Sequence, residues 1–257
     1  MKTKIKPNVC ILRTDGTNCD QETAYAFSLA GGQPHLVHIN ELRKGTKNLR
    51  DYQILAIPGG FSYGDDIASG KVLANELISF LGDQLREFVA SGKPIIGICN
   101  GFQVLVRTGL LPFGKLGEMQ VTLDHNDSGH FHCKWYKMRF EKSLCIWTAG
   151  LYVYDVENTC DVEYQVAHGE GKFFAEEEVI SRMESLNLVA LRYSTAIPNG
   201  SVNRIAGVCD PTGKIFGLMP HPERFVERRQ HPNWRTRIGP PQGLPIFRNG
   251  VAYAAEL

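Results

Sequence analysis

Residues 92–103 read Gly92-Lys93-Pro94-Ile95-Ile96-Gly97-Ile98-Cys99-Asn100-Gly101-Phe102-Gln103, and the chain is organised around the cysteine. Positions 94–98 are apolar and rich in isoleucine, as expected of a strand buried on both faces. The run stops at Gly97-Ile98-Cys99-Asn100-Gly101, where glycines flank the cysteine symmetrically, and residues 102–107 suit a helix. This is the spacing of a nucleophile elbow, a sharp strand-to-helix turn with one reactive side chain at its apex. A Cβ at either glycine would crowd backbone that must pass close by. The N–H groups that open the helix point at the apex, where they favour a thiolate and later an oxyanion. Taken alone, the same five residues also fit a core cysteine before an ordinary turn.

Upstream, residues 8–12 are expected to form a strand, followed by a polar turn and an amphipathic helix over 20–29 that Gly31-Gly32 stops. Thr17, Asn18 and Asp20 offer oxygens to cap that helix. Strands are expected again at 35–39 and 53–57, an order that implies right-handed crossovers and a parallel sheet covered on both faces. The third strand runs into Pro58-Gly59-Gly60-Phe61-Ser62-Tyr63-Gly64-Asp65-Asp66. This loop lies at the strand edge where open α/β sheets bind ligands. Two adjacent glycines, Gly59 and Gly60, can present backbone N–H groups to a carbonyl oxygen, which suits half of an oxyanion hole, although a plain connector fits the loop equally well. Helical segments over 71–80 and 83–90 then lead to the elbow.

Downstream the pattern changes. Residues 131–140 alternate polar and apolar side chains, 162–166 and 188–193 are β-like, and 202–209 meets 214–219 across Asp210-Pro211-Thr212-Gly213 as a hairpin. The expected fold class is α/β, a mostly parallel central sheet flanked by helices with a nucleophile elbow, plus a mixed or antiparallel second half. A single domain over 1–257 is expected, with 224–257 a tail containing Pro232, Pro240, Pro241 and Pro245. Such a tail is expected to wrap the surface or meet a partner rather than form regular elements.

The hairpin's returning strand ends in Pro220-His221-Pro222-Glu223. Residues two apart in an extended chain project to one side, so Glu223 can lie beside His221. A carboxylate on one imidazole nitrogen fixes the tautomer and leaves the other to take a thiol proton. Cys99, His221 and Glu223 thus make a nucleophile, a base and an orienting acid in three separately justified settings. A surface His and Glu after a strand is the plainer alternative.

Bulk properties narrow the classes further. Lys plus Arg number 28 against 27 for Asp plus Glu, so no global field draws nucleic acid or an anionic membrane. A hydrophobic fraction of 43% and a charged fraction of 21% are those of a soluble globular protein. The start of the chain is too short an apolar run for a signal peptide or a span, so a cytoplasmic location is expected. Seven cysteines without a Cys-x-x-Cys pair argue for reduced thiols. His125, His130, His132 and Cys133 lack metal-ligand spacing, and no metal is expected. Neither a Gly-x-x-x-x-Gly-Lys-[Ser/Thr] nor a Gly-x-Gly-x-x-Gly phosphate loop is present, so ATP chemistry belongs elsewhere.

The elbow, 97–103, and Pro220-His221-Pro222-Glu223 resemble the signature of class I, triad-type glutamine amidotransferases. Five further stretches narrow the resemblance: Gly16-Thr17-Asn18-Cys19-Asp20, the loop over 58–66, Asn126-Asp127-Ser128-Gly129, Ala167-His168-Gly169-Glu170-Gly171 and Asn199-Gly200-Ser201. Over nearly the whole chain, from Asn8 to Phe247, they are similar to the glutaminase subunits of phosphoribosylformylglycinamidine synthase. The resemblance implies glutamine hydrolysis through Cys99, His221 and Glu223, and ammonia for a large synthetase subunit of purine biosynthesis. It also implies ATP and Mg on that partner with no cofactor here, and allows a small third subunit. On this reading the oxyanion is held by backbone N–H groups near Gly60 or Phe61 and at Asn100. Gln103 is expected to help hold the glutamine, a glutamine packed against a neighbour being the alternative, and His168 and Glu170 to lie near the substrate or the partner interface, solvated loop residues being the alternative. The tail and the loop over 61–66 are the expected contacts. The alternatives are a cysteine hydrolase or peptidase of similar fold, and a binding module that has lost its chemistry.

Overall fold

The first half of the chain alternates strands and helices in a computed structural model that describes residues 6–152, 161–194, 197, 199–236 and 239–257. In order these are β1 (Asn8–Arg13), α1 (Asp20–Leu29), β2 (Gln33–His38), α2 (Ile39–Arg43), β3 (Ile54–Ile57), α3 (Lys71–Ala90), β4 (Ile95–Ile98) and α4 (Asn100–Arg107). The second half adds β5 (Thr122–His125), β6 (His132–Phe140), β7 (Val162–His168), β8 (Glu170–Phe174), α5 (Glu177–Ser185), β9 (Val189–Tyr193), β10 (Ile205–Cys209), β11 (Ile215–Leu218) and α6 (Leu244–Ala254). Cys160, one of the seven cysteines, and the first five residues lie outside the described residues.

One sheet runs through both halves. Among the described residues it has nine strands in the order β2-β1-β3-β4-β11-β10-β9-β6-β7. Neighbours from β2 to β11 are parallel, and those from β11 to β7 are antiparallel. The antiparallel half is therefore a wing of the same sheet. β5 and β8 pair separately as a two-stranded antiparallel sheet. Every residue of β3 and β4 is buried, which the isoleucine-rich sequence anticipates for central strands covered on both faces.

Two expectations need correction. The segments over 71–80 and 83–90 are one helix, α3, because a lone glycine at 82 weakens a helix without ending it. The proline-rich tail contains α6, whose Ile246, Phe247, Gly250, Val251 and Ala254 are buried. Pro245 does not oppose it, since the first turn of a helix has no use for the missing N–H. Phe27 of α1 packs edge-on against Phe247 and Trp147. A Cβ on Gly250 would stand only 2.0 Å from the Trp147 ring, so α6 seats on that tryptophan through a glycine. Far from wrapping the surface, this part of the tail closes the core.

The C-terminal ends of β1, β3, β4 and β11 lie side by side and deliver four segments to one edge: residues 14–20, 58–66, 99–103 and 219–223. The register Ile215↔Ile95 through Leu218↔Ile98 brings the end of β11 level with the elbow. No helix among the described residues is long and apolar enough to cross a membrane.

Candidate active site

Cys99 sits at the apex of the turn between β4 and α4 with φ of 52°, in the left-handed region that a residue with a side chain rarely adopts. The flanking glycines explain how. A Cβ on Gly97 would meet Gly101 O at 2.5 Å, and one on Gly101 would meet Ile57 O at 1.9 Å. The Cys99 N–H donates to Leu218 O at 2.8 Å, which ties the elbow to β11. Its thiol is 5% exposed and points at Ala167 O, 3.7 Å away.

His221 and Glu223 lie across from it, 1% and 0% exposed. His221 Nδ1 and Glu223 Oε1 are 2.6 Å apart, so the proton on Nδ1 is held and Nε2 is turned free. Among the described residues neither Nε2 nor Glu223 Oε2 has a hydrogen-bond partner. Burial works against a charge on this imidazole, but the Glu223 carboxylate, followed by Cys99, outweighs it and raises its pKa well above the usual value. A Cβ on Gly59 would fall 2.7 Å from His221 Cε1, 3.1 Å from Cys19 Sγ and 3.4 Å from Cys99 Cβ. The two thiols and the imidazole therefore converge on one glycine, close enough to influence charge without full hydrogen-bond geometry at Nε2.

Of the two positions in the loop after β3 that the sequence suggests as a backbone donor, one is left open. Phe61 N–H donates to Gly16 O at 2.9 Å and is already engaged. Gly60 is the open one: no partner for its N–H is seen among the described residues. With φ of 145° it leaves no room for a side chain, because a Cβ would stand 2.8 Å from both Asn18 N and Gly16 O. Asn100 N–H, first in α4, has no acceptor within the helix. The Phe61 side chain instead joins Phe131 at the pocket mouth, with ring centroids 6.3 Å apart.

Gln103 is 4% exposed and fully engaged. Its Nε2 donates to Glu170 O at 2.6 Å and its Oε1 accepts from Asn100 Nδ2 at 3.0 Å, so its amide braces the elbow. Glu170 Oε2 accepts from Ser69 N–H at 3.3 Å. His168 is buried against Gly171, where a Cβ would come within 2.4 Å of the ring. Burial first, and then the nearby charge of His221, push its pKa down to about 3.

Two residues of this edge, Cys19 and Arg224, are not among the candidate site residues read from the sequence. Cys19, beside His221, is held by Arg224, whose Nη2 donates to Cys19 Sγ at 3.1 Å and Nε to Glu22 Oε1 at 2.8 Å. Cys19, Glu22, His221 and Glu223 each place one ligand atom within 4.8 Å of the others, but the Arg224 guanidinium already supplies that cluster with a fixed cation. His132, weighed above as a ligand, is engaged by Ser128 Oγ and Tyr136 OH instead.

Comparison with known proteins identifies the family. Residues 6–254 match the model of the CobB/CobQ-like glutamine amidotransferase domain. The phosphoribosylformylglycinamidine synthase subunit PurQ of Dehalococcoides mccartyi is 45% identical over 98% of this chain and 99% of its own length. That of Methanococcus maripaludis is 38% identical over 97% and 98%. The structure of PurLQS from Thermotoga maritima superposes with a TM-score of 0.74 and 33% identity, covering 97% of this chain and 99% of the matched one. Against such full-length similarity the peptidase and binding-module readings fall away. The chain belongs to the PurQ family, the glutamine amidotransferase subunits of phosphoribosylformylglycinamidine synthase in purine biosynthesis.

Proposed function

We propose that Cys99 attacks the side-chain amide of glutamine while His221 Nε2 accepts the thiol proton and Glu223 holds the imidazole in place. The carbonyl oxygen, now an oxyanion, is met by the N–H groups of Gly60 and Asn100, each worth about 3–4 kcal/mol in comparable sites. Collapse breaks the C–N bond, His221 returns the proton to the departing ammonia, and a γ-glutamyl thioester remains on Cys99. Water, deprotonated by His221, attacks the thioester carbonyl and releases glutamate and the thiol.

The ammonia passes to a synthetase subunit that makes formylglycinamidine ribonucleotide in the cytoplasm, with ATP and Mg bound there rather than on this chain. The observation that carries the reading is the buried 2.6 Å pair of His221 and Glu223, with Nε2 left free beside an elbow cysteine. The test uses the assembled complex. Glutamine should yield glutamate and drive synthesis, Cys99→Ala should stop both, and an ammonium salt should restore synthesis alone. Loss of synthesis with ammonium as well would count against separate glutaminase and synthetase sites.

A further inference from the structure

The two oxyanion donors belong to different segments, one after β3 and one at the elbow, so their spacing depends on whatever joins those segments. Asn100 does so through its side chain, 3% exposed. Its Oδ1 accepts from Ser62 N–H at 3.3 Å, and its Nδ2 donates to Asp65 Oδ1 at 3.2 Å as well as to Gln103. Asp65 is anchored in turn. Its Oδ1 also accepts from Gly70 N–H at 3.3 Å, and its Oδ2 accepts from Ser69 Oγ at 3.0 Å. Arg107, on the elbow helix, donates to Ser69 O at 2.7 Å and closes the circuit.

The backbone shows that the Asp65 side chain is placed against resistance. Tyr63, Gly64 and Asp65 have φ of 55°, 69° and 54°, a left-handed run that glycine adopts freely, aspartate occasionally and tyrosine rarely. Such strain persists where the surroundings over-determine it, and here the surroundings are the hydrogen bonds from Asn100, Ser69 and Gly70.

We propose that Asp65 is a positioning residue for acyl transfer: acting through Asn100, it sets the distance between the Gly60 and Asn100 N–H groups that receive the oxyanion. The role rests on the acyl-transfer reading of Cys99. It differs from a simple cap on α3, whose loss would lower stability without selecting one kinetic step.

The experiment compares Asp65→Ala and Asp65→Asn in the assembled complex, following glutamine turnover and alkylation of Cys99 by iodoacetamide, read at the Cys99 peptide by mass spectrometry. Alkylation needs the nucleophile but no oxyanion hole. Asp65→Ala should lower kcat roughly 10²-fold, the scale of a misplaced group, with KM changed less than about 3-fold and alkylation less than about 2-fold. Asp65→Asn keeps an acceptor for Asn100 and should recover to within about 5-fold of the native kcat. Asn100→Ala added to Asp65→Ala should cost little more than the larger single effect.

A native kcat in Asp65→Ala would overturn the proposal, as would equal losses of turnover and alkylation, or an Asp65→Asn no better than Asp65→Ala. Unchanged turnover in Cys99→Ala would overturn the acyl-transfer reading itself, and the role of Asp65 with it.

Discussion

His221 and His168 are both buried imidazoles at the functional edge, 1% and 2% exposed, yet the protein holds them in opposite senses. His221 meets a carboxylate and its pKa rises. His168 meets the side chain of Asn126, with Nδ1 3.1 Å from Oδ1, and its pKa falls to about 3. The tautomer at His168 is forced. Asn126 Nδ2 donates to His130 O at 2.9 Å and His168 O at 2.8 Å, so Oδ1 is the acceptor and His168 Nδ1 carries the hydrogen. Burial is common to both rings and disfavours the charged form in both. The hydrogen-bonded partner is the clearest difference between the raised ring and the lowered one, carboxylate against amide, with Cys99 adding to the rise at His221 and the charge of His221 to the fall at His168.

The largest effect expected from breaking this contrast is on turnover. His221→Ala should lower kcat for glutamine by more than roughly 10⁴-fold, because the proton from Cys99 then has no acceptor. Glu223→Gln preserves shape but removes the charge. It should cost about 10²–10⁴-fold in kcat, and the imidazole pKa of His221, followed by NMR, should drop; an unmoved pKa would show that Glu223 is not what raises it.

Asn126→Asp offers the converse. It gives His168 a carboxylate while removing the donor to two carbonyls, so the pKa of His168 should climb from about 3 and stability should fall by about 1–3 kcal/mol. Urea midpoints and NMR titration test both. If His168 stayed neutral in that variant, burial rather than partner chemistry would govern the pair.

The smallest effect is a slope. An unfolded His168 takes its proton near 6.5 but the folded one only near 3, so the unfolded chain binds the extra proton in that window and stability is lost as pH falls through it. The contribution is at most about 1.4 kcal/mol per pH unit. His221 acts the other way: its stabilisation is complete below 6.5 and lost as pH rises toward its elevated folded pKa. Urea midpoints at pH 6.5 and pH 5 should converge in His168→Gln.

The elbow was legible because its constraint is local: Gly97 and Gly101 are needed by backbone within a few residues or by the adjacent strand. The pair of His221 and Glu223 was legible for the same reason, since two-residue spacing in an extended chain decides which side chains meet. Cys19 was not, because it joins the site only when the turn after β1 is laid against the loop after β3. The engagement of Phe61 N–H by Gly16 O belongs to that same long-range bridge. β5 and β8 are hard to read for a related reason: each is short, and among the described residues each pairs with the other alone. The helix α6 is hidden because a proline reads as a helix breaker, whereas Pro245 stands in the first turn, where its missing N–H opposes nothing.

The register between β4 and β11 has a consequence for how the protein acquires activity. The nucleophile is complete once β4 has turned into α4, an event confined to neighbouring residues, whereas the base arrives only when β11, far along the chain, docks in the correct alignment. A slip of one residue would carry His221 about 3.3 Å along the sheet and turn each β11 side chain to the opposite face. Cys99 and His221 are therefore brought together only by a pairing between strands far apart in the chain, and the site depends on that register. Any change that shifts β11 against β4 should thereby separate the imidazole from the thiol without altering either residue.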